Sequence, residues 1–361
     1  MNRRVVVKIG SNVLTRADGT LDTTRMSALV DQFAAIHKAG IELIVVTSGA
    51  VASGRSEIGH GVPRLDPISA RQLFSAVGQT KLINRYYDLF REHNIVCGQV
   101  LTTKENFATR THYLNQRNCM RVMLDNGVIP IVNENDTVSV TELMFTDNDE
   151  LSGLVTTMMD AKTLILLSNI DGIFDGNPAD PASKVIRQVV SSKEDLSAYI
   201  QTGGSTFGRG GMLTKSRIAS KLSDEGVEVI IANGKRDNIL TDLVLSDHAA
   251  AILCTRFVPL DKAISGVKRW IAHSEGFAKG ELHINQGALE ALTASRATSL
   301  LPVGVCRVAG EFSKDDIVRI VAPDGTVIGV GKIAVDSQKA TAQTGKHGVK
   351  PFIHYDYLYL E

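Results

Sequence analysis

The sequence predicts an α/β protein: an open, mostly parallel sheet with helices on both faces, followed by a small β-rich C-terminal domain. Three observations carry this. The chain has 361 residues, a length that points to two domains. Residues 3 to about 255 alternate short Val, Ile and Leu runs with amphipathic stretches, the rhythm of βαβ units. Beyond that point, short alternating segments punctuated by glycine take over, the pattern of a separate β-rich unit.

In chain order, strands are expected at Arg4–Ile9, 41–47, 95–101, 128–132, 163–167 and 227–232. They are apolar with little alternation, as strands covered on both faces are. Helices are expected between them at Thr23–Lys38, 70–92, 148–159 and 212–225, where apolar residues recur at helical spacing. In such a sheet, ligands bind beyond the carboxyl ends of the strands. The β-rich region holds G-E-L-H-I-N, L-L-P-V-G-V-C-R-V-A-G, D-I-V-R-I-V and V-I-G-V-G-K-I-A-V, with one helical insert at 287–294. The expected boundaries are 1–257 for the first domain and 276–361 for the second. Residues 258–275 form the linker, where Pro259 and Gly266 are loop markers.

Charge is balanced, 39 basic residues against 39 acidic, so no basic field draws in nucleic acid or an anionic membrane. The opening M-N-R-R-V-V-V-K-I-G is too short in its apolar part for a signal peptide. No apolar run is long enough to span a bilayer. Cys97, Cys119, Cys254 and Cys306 are far apart, in apolar surroundings and without metal spacing. They are read as buried, reduced thiols of a cytoplasmic protein.

Chemistry concentrates at the strand ends. N-E-N-D at 133–136 and D-N-D at 147–149 are two acidic-amide clusters beside apolar runs. Either one alone could be a solvated turn or a helix cap; together they suggest a pocket for a small hydrogen-bonding substrate. Lys8 interrupts an apolar strand. It is either an edge-strand charge facing solvent or a charge pointed into a site. Ser48 and Gly49 occupy a strand-to-helix turn, where free amides and the helix dipole favour an anion, though Ser48 also reads as a plain N-cap. The run S-T-F-G-R-G-G-M-L-T-K opens a helix, with Lys215 about one turn in. Glycine amides with a lysine suit phosphate oxygens, although the spacing is not that of a P-loop and a mobile surface loop has similar composition. Ser168-Asn169 and Asp171-Gly172 leave the fifth strand in a turn-rich connection, which decides nothing alone.

Taken together, V-V-K-I-G-S-N-V-L (6–14), V-T-S-G-A-V-A-S-G-R (46–55), Q-L-F-S-A-V-G-Q (72–79), I-P-I-V-N-E-N-D (129–136), D-N-D-E-L-S (147–152), L-L-S-N-I-D-G-I-F (166–174) and G-R-G-G-M-L-T-K (208–215) resemble the amino acid kinase family, and within it the members that phosphorylate glutamate. S-L-L-P-V-G-V (299–305) and G-E-F-S-K-D-D-I-V-R-I (310–320) resemble the PUA domain that many bacterial members carry. The resemblance implies ATP-dependent phosphorylation of the L-glutamate side chain to γ-glutamyl phosphate, the first step of proline biosynthesis. It implies that Lys8 and Lys215 stabilise the transferred phosphoryl group and that Asp149 holds them in place. It places glutamate on Ser48, Asp136 and Asn148, with Asn133 shaping the pocket. Asp136 suits the α-ammonium, Ser48 and Asn148 the carboxylate oxygens. ATP falls to Lys8, Ser168, Asn169 and the run Arg209, Gly210, Gly211, Met212, Leu213, Thr214 and Lys215, with Mg²⁺ carried on the phosphates. Proline as feedback inhibitor, a homodimer or homotetramer, and coupling to glutamyl phosphate reductase follow from the same resemblance.

The sequence departs from the family pattern in three places. Ser168-Asn169 stands for the usual Thr-Asp, Arg209 for threonine, and Thr146 for glycine. Within the family, the paired acidic-amide clusters and the PUA-like tail argue against an acetylglutamate or nucleoside monophosphate kinase. Outside it, a regulatory RNA-binding protein is disfavoured by the balanced charge and by the lack of an arginine or aromatic cluster in 276–361.

Overall fold

A computed structural model describes residues 3–59, 65–108, 110–139, 145, 147–190, 211–260, 271, 277–294 and 298–360. The chain divides into two compact units. The first gathers 1–104 with 114–263, and the second 105–113 with 264–361. Thr146, Arg209, Gly210, Gly266 and most of the expected linker lie outside the described residues.

The first unit is built on an eight-stranded sheet in the order β3-β4-β2-β1-β5-β7-β8-β6. The strands are β1 (Arg4–Ile9), β2 (Glu42–Val46), β3 (Cys97–Thr102), β4 (Ile129–Glu134), β5 (Thr163–Ser168), β6 (Gln188–Val189), β7 (Glu228–Asn233) and β8 (Thr255–Phe257). Strands β3, β4, β2, β1, β5 and β7 run parallel. β8 is antiparallel to β7, and β6 pairs with β8 in parallel.

β1 lies in the middle, with Val7 opposite Val45 of β2 and Ile165 of β5. Val5, Val6, Val7 and Ile9 are fully buried, which is why the strand reads as an unbroken apolar run. This removes the edge-strand reading of Lys8. The helix Thr23–Lys38 is capped by Asp22, whose carboxylate accepts from Arg25 N. It packs Met26, Leu29, Phe33 and Ile36 onto the core under β1 and β2.

Two helices meet unusually closely. Ala50–Ile58 and Pro67–Glu92 touch through Gly54 and Gly78. A Cβ at Gly54 would lie 1.8 Å from the Phe74 carbonyl oxygen, and one at Gly78 1.8 Å from that of Ala50. Only glycine permits this approach.

The second unit holds a five-stranded sheet in the order β10-β9-β11-β12-β13. Its strands are β9 (Gly280–Ile284), β10 (Val305–Gly310), β11 (Ile317–Val321), β12 (Val327–Lys332) and β13 (Leu358–Leu360). Gly280, Leu282 and Ile284 alternate inward, the signature of a sheet with one covered face. Leu282, Ile284, Val318, Ile320, Phe352 and Ile353 form its core.

The cysteine expectation needs correcting. All four thiols are free, but only Cys254 is buried; Cys97 is partly covered, and Cys119 and Cys306 are exposed. Apolar neighbours in sequence did not translate into burial, because Cys119 and Cys306 sit on outward faces of a helix and a strand. Among the described residues, no helix is long and apolar enough to cross a membrane.

Candidate active site

A cavity of about 790 Å³ opens beyond the carboxyl ends of the parallel strands. It is lined from β1 and its following turn (Lys8, Gly10), from the turn after β2 (Ser48, Gly49), from β4 and beyond (Asn133, Glu134, Asp136), and from β5 (Ser168, Asn169). The helix starts at 147–148 and 211–212 complete it, with Lys215.

At its floor lies a buried charge triad. Lys8 Nζ stands 2.6 Å from Asp149 Oδ1, and Lys215 Nζ 2.7 Å from Asp149 Oδ2. Asp149 is 0% exposed, Lys8 5% and Lys215 7%. Burial pushes Lys8 below the ordinary lysine range against the pull of Asp149. Burial alone would raise Asp149, but the two ammonium groups outweigh it and hold the carboxyl below the ordinary carboxylate range. One carboxylate thus spaces two lysines at the cavity floor, and cationic groups so placed suit a phosphoryl group.

The three side chains come from different elements. Lys8 is near the end of β1, Asp149 in the first turn of Asn148–Met158, and Lys215 in the first turns of Met212–Asp224. Asp147 caps the first of these helices; its Oδ1 accepts from Asp149 N at 2.8 Å and Glu150 N at 3.0 Å. Burial, then the charge on Asp149, push the Asp147 carboxyl upward. The helix starting at Met212 has no side-chain cap, and a Cβ at Gly211 would meet nothing within 4 Å. A glycine start of this kind leaves room for a phosphate oxygen near the helix N-terminus. The helix Ala50–Ile58 also lacks a side-chain cap and starts from Gly49 at φ +102°, a left-handed turn that favours glycine.

A second hydrogen-bonded group forms the wall. Asn148 Nδ2 reaches Thr47 O at 2.9 Å, Asn133 Oδ1 at 3.0 Å and Ser48 Oγ at 3.1 Å. Asn133 Oδ1 also accepts from Glu134 N, and its Nδ2 donates to Gln79 Oε1 at 2.8 Å. Thr47 and Tyr86 share a buried 2.8 Å hydrogen bond behind them. Asn12 Oδ1, Asp147 Oδ2 and Asn148 Oδ1 are buried without a partner among the described residues. Such acceptors are left for water or a ligand to satisfy.

The structure brings Lys8, Ser48, Asn133, Asp136, Asn148, Ser168, Asn169, Gly211, Met212 and Lys215 to this one cavity. Asp149 lies beneath them. Leu213 is exposed on the outer side of its helix, and Arg209 and Gly210 fall outside the described residues. Asp136 carries a partner that sequence reasoning did not assign: Arg71, whose Nε donates to Asp136 Oδ1 at 2.7 Å and whose Nη2 reaches Glu134 Oε2 at 3.0 Å. Also unassigned was Asp171, which accepts from Arg236 Nε at 2.7 Å and Nη2 at 2.9 Å and ties the turn after β5 to that after β7. Arg71 and Arg236 sit in no motif that names a role, so only proximity in space marks them.

Comparison with known proteins follows the same lines. The sequence pattern of the amino acid kinase family matches residues 3–233, and that of the PUA domain matches 280–353. Glutamate 5-kinase from Bacteroides thetaiotaomicron is 66% identical over 358 residues, covering 99% of this chain and 98% of the relative. Glutamate 5-kinase from Chlorobaculum tepidum is 48% identical over 363 residues, covering 99% and 97%. A crystal structure of UMP kinase from Ureaplasma parvum matches with a TM-score of 0.48 at 14% identity, covering 72% of this chain and 99% of that one.

Proposed function

We propose, for a chain that belongs to the amino acid kinase family, ATP-dependent phosphorylation of the side-chain carboxylate of L-glutamate, the reaction that the names of its two relatives denote. The product is γ-glutamyl phosphate, the first intermediate of proline biosynthesis. The observation that carries the reading is the buried triad: two lysines on one aspartate, at the floor of a cavity beside an uncapped helix start.

The acceptor carboxylate is already ionised at neutral pH, so no general base is needed. One of its oxygens attacks the terminal phosphorus of ATP, and the bond from that phosphorus to ADP breaks. The protein's task is alignment and charge neutralisation. Lys8 and Lys215 supply the positive charge, and Asp149 fixes the spacing between them. Ser168 and Asn169 lie on the side of the nucleoside. Magnesium is expected on the phosphate oxygens, keeping several waters. Among the described residues, no three carboxylates, imidazoles or thiols gather into a separate cage.

Proline shares an α-carboxylate and a cationic nitrogen with glutamate, so it competes for the same pocket as a feedback inhibitor. An acyl phosphate hydrolyses readily in water, which favours functional coupling to glutamyl phosphate reductase. A homodimer or homotetramer and a cytoplasmic setting complete the reading.

The test is ADP release by the purified full-length protein with L-glutamate, with hydroxylamine trapping the product as a hydroxamate. Glutamate-dependent ADP release with stoichiometric hydroxamate is expected. ADP release without hydroxamate, or no dependence on glutamate, overturns the reading.

A further inference from the structure

We propose that Arg71 is a positioning residue for the amino group of the substrate: it pins Asp136 by one carboxylate oxygen so that the other meets the α-ammonium. The proposal rests on the glutamate-phosphorylating reading above and names a determinant of its selectivity.

The geometry is a cation held between two acids. Arg71 is the fifth residue of the helix Pro67–Glu92, whose start is fixed by Asp66 accepting from Ile68 N and Ser69 N. Its Nε and Nη2 both reach Asp136 Oδ1, while Nη2 also reaches Glu134 Oε2 at 3.0 Å. Glu134 is itself immobilised. Its Oε1 accepts from Ser139 Oγ and from Phe145 N, each at 2.9 Å. Gln72, the next residue on the helix, donates to Thr137 O at 2.8 Å. Helix and loop are thus fastened on both sides of Asp136. The side chains of Glu134 and Asp136 are 5% and 9% exposed, and that of Arg71 19%.

This arrangement does two things for an amino acid. It orients Asp136, which lines the cavity, through a planar fork that a simple ammonium cannot reproduce. It also separates two close carboxylates with a cation. Without that cation the Asp136 side chain loses its tie to the Arg71 helix, and its carboxylate is a less well placed partner for an ammonium. Burial and the neighbouring Asp136 already push the Glu134 carboxyl upward, which agrees with such crowding. The cavity is thus served by two ionic groups, two lysines on one aspartate and two acids on one arginine. A zwitterion with a side-chain carboxylate offers a partner to each group.

The experiment compares wild-type protein with Arg71→Met and Arg71→Lys. Kinetic constants are measured for glutamate and ATP, and the inhibition constant for glutarate, which has both carboxylates but no amino group. Arg71→Met is expected to raise the glutamate KM about 10- to 100-fold, the range for losing a charge-assisted hydrogen bond. Arg71→Lys restores the charge without the fork, so its KM lies between the two. The ATP KM and the glutarate inhibition constant are expected to stay within about two-fold, because neither ligand presents an ammonium. An unchanged glutamate KM in Arg71→Met overturns the proposal. So does a parallel rise for glutamate and glutarate, which marks general damage to the pocket. If Arg71→Met fails a circular-dichroism check, Arg71→Gln takes its place, keeping a donor and removing the charge, with the same expected and overturning results. A wild-type protein that does not phosphorylate glutamate at all defeats the functional reading itself and is seen before any variant is compared.

Discussion

Lys8 and Lys215 reach the same aspartate from a strand and a helix, so each is a fixed charge rather than a mobile surface lysine. Lys8→Ala and Lys215→Ala are each expected to lower kcat about 10²- to 10³-fold, the usual effect of removing one electrostatic stabiliser, with a smaller change in glutamate KM. Steady-state kinetics at saturating ATP checks this, and near-normal kcat in either variant would contradict the assigned role. Asp149 carries a pH signature as well. Its folded pKa lies below the ordinary value, so the folded protein binds fewer protons at this site than the unfolded chain. The resulting stability is present above the unfolded pKa and is lost as pH falls through the depressed folded value. Between about pH 5 and about pH 3, the urea midpoint of wild type is expected to fall more steeply than that of Asp149→Asn. Equal slopes would show that the carboxylate does not hold its charge against acid. At this scale Lys8 was legible from the sequence, because a lysine inside a valine run needs an explanation. Arg71 was not, because an arginine near the start of a long helix looks like any solvated residue until β4 is seen opposite it.

The element that shapes one wall of the cavity is the close pair of helices, Ala50–Ile58 and Pro67–Glu92. One starts at the Ser48–Gly49 turn and the other carries Arg71 and Gln79, so their separation fixes the distance between pocket walls. Gly54→Ala and Gly78→Ala each place a methyl 1.8 Å from a backbone oxygen. Each is expected to destabilise by about 1–3 kcal/mol, as overpacking does, although alanine is the better helix former. The reversed sign is the diagnostic. Gly287→Ala, on the exposed first turn of Gln286–Thr293, meets only ordinary contact at 3.7 Å and is expected to be neutral or stabilising. Denaturant midpoints of the three variants check this; a stabilised Gly54→Ala would mean that the helices stand farther apart. The helices Thr23–Lys38 and Asn148–Met158 were legible from their period within a residue of their observed ends. The strands β6 and β8 were not, because two and three residues carry no period and exist only by pairing.

At the scale of the molecule, every residue assigned to the cavity belongs to the first unit. A fragment of residues 1–275 is expected to keep its glutamate and ATP KM values, since no cavity residue is removed. It is also expected to melt below full-length protein, because residues 105–113 group with the C-terminal unit and lose it in the fragment. Thermal melts and the ADP-release assay check both halves. A folded but inactive fragment would show that the C-terminal unit completes the site, and an unfolded one that the two units share a core.

The amino-acid sequence by itself determined the layering: near-unbroken apolar runs require strands covered on both faces, and helices at 3.6-residue spacing must supply the cover. It also picked out polar segments, at 133–136, 147–149 and the end of β1, that the structure brings to one cavity. Only the tertiary structure decided which of those groups meet. It set Lys8 and Lys215 on the two oxygens of Asp149, and Asp136 on Arg71, across separations of 141, 66 and 65 residues. The physical reason is that a buried charge is tolerated only beside its partner, and partners this far apart along the chain are chosen by the sheet order and helix crossings, not by local spacing.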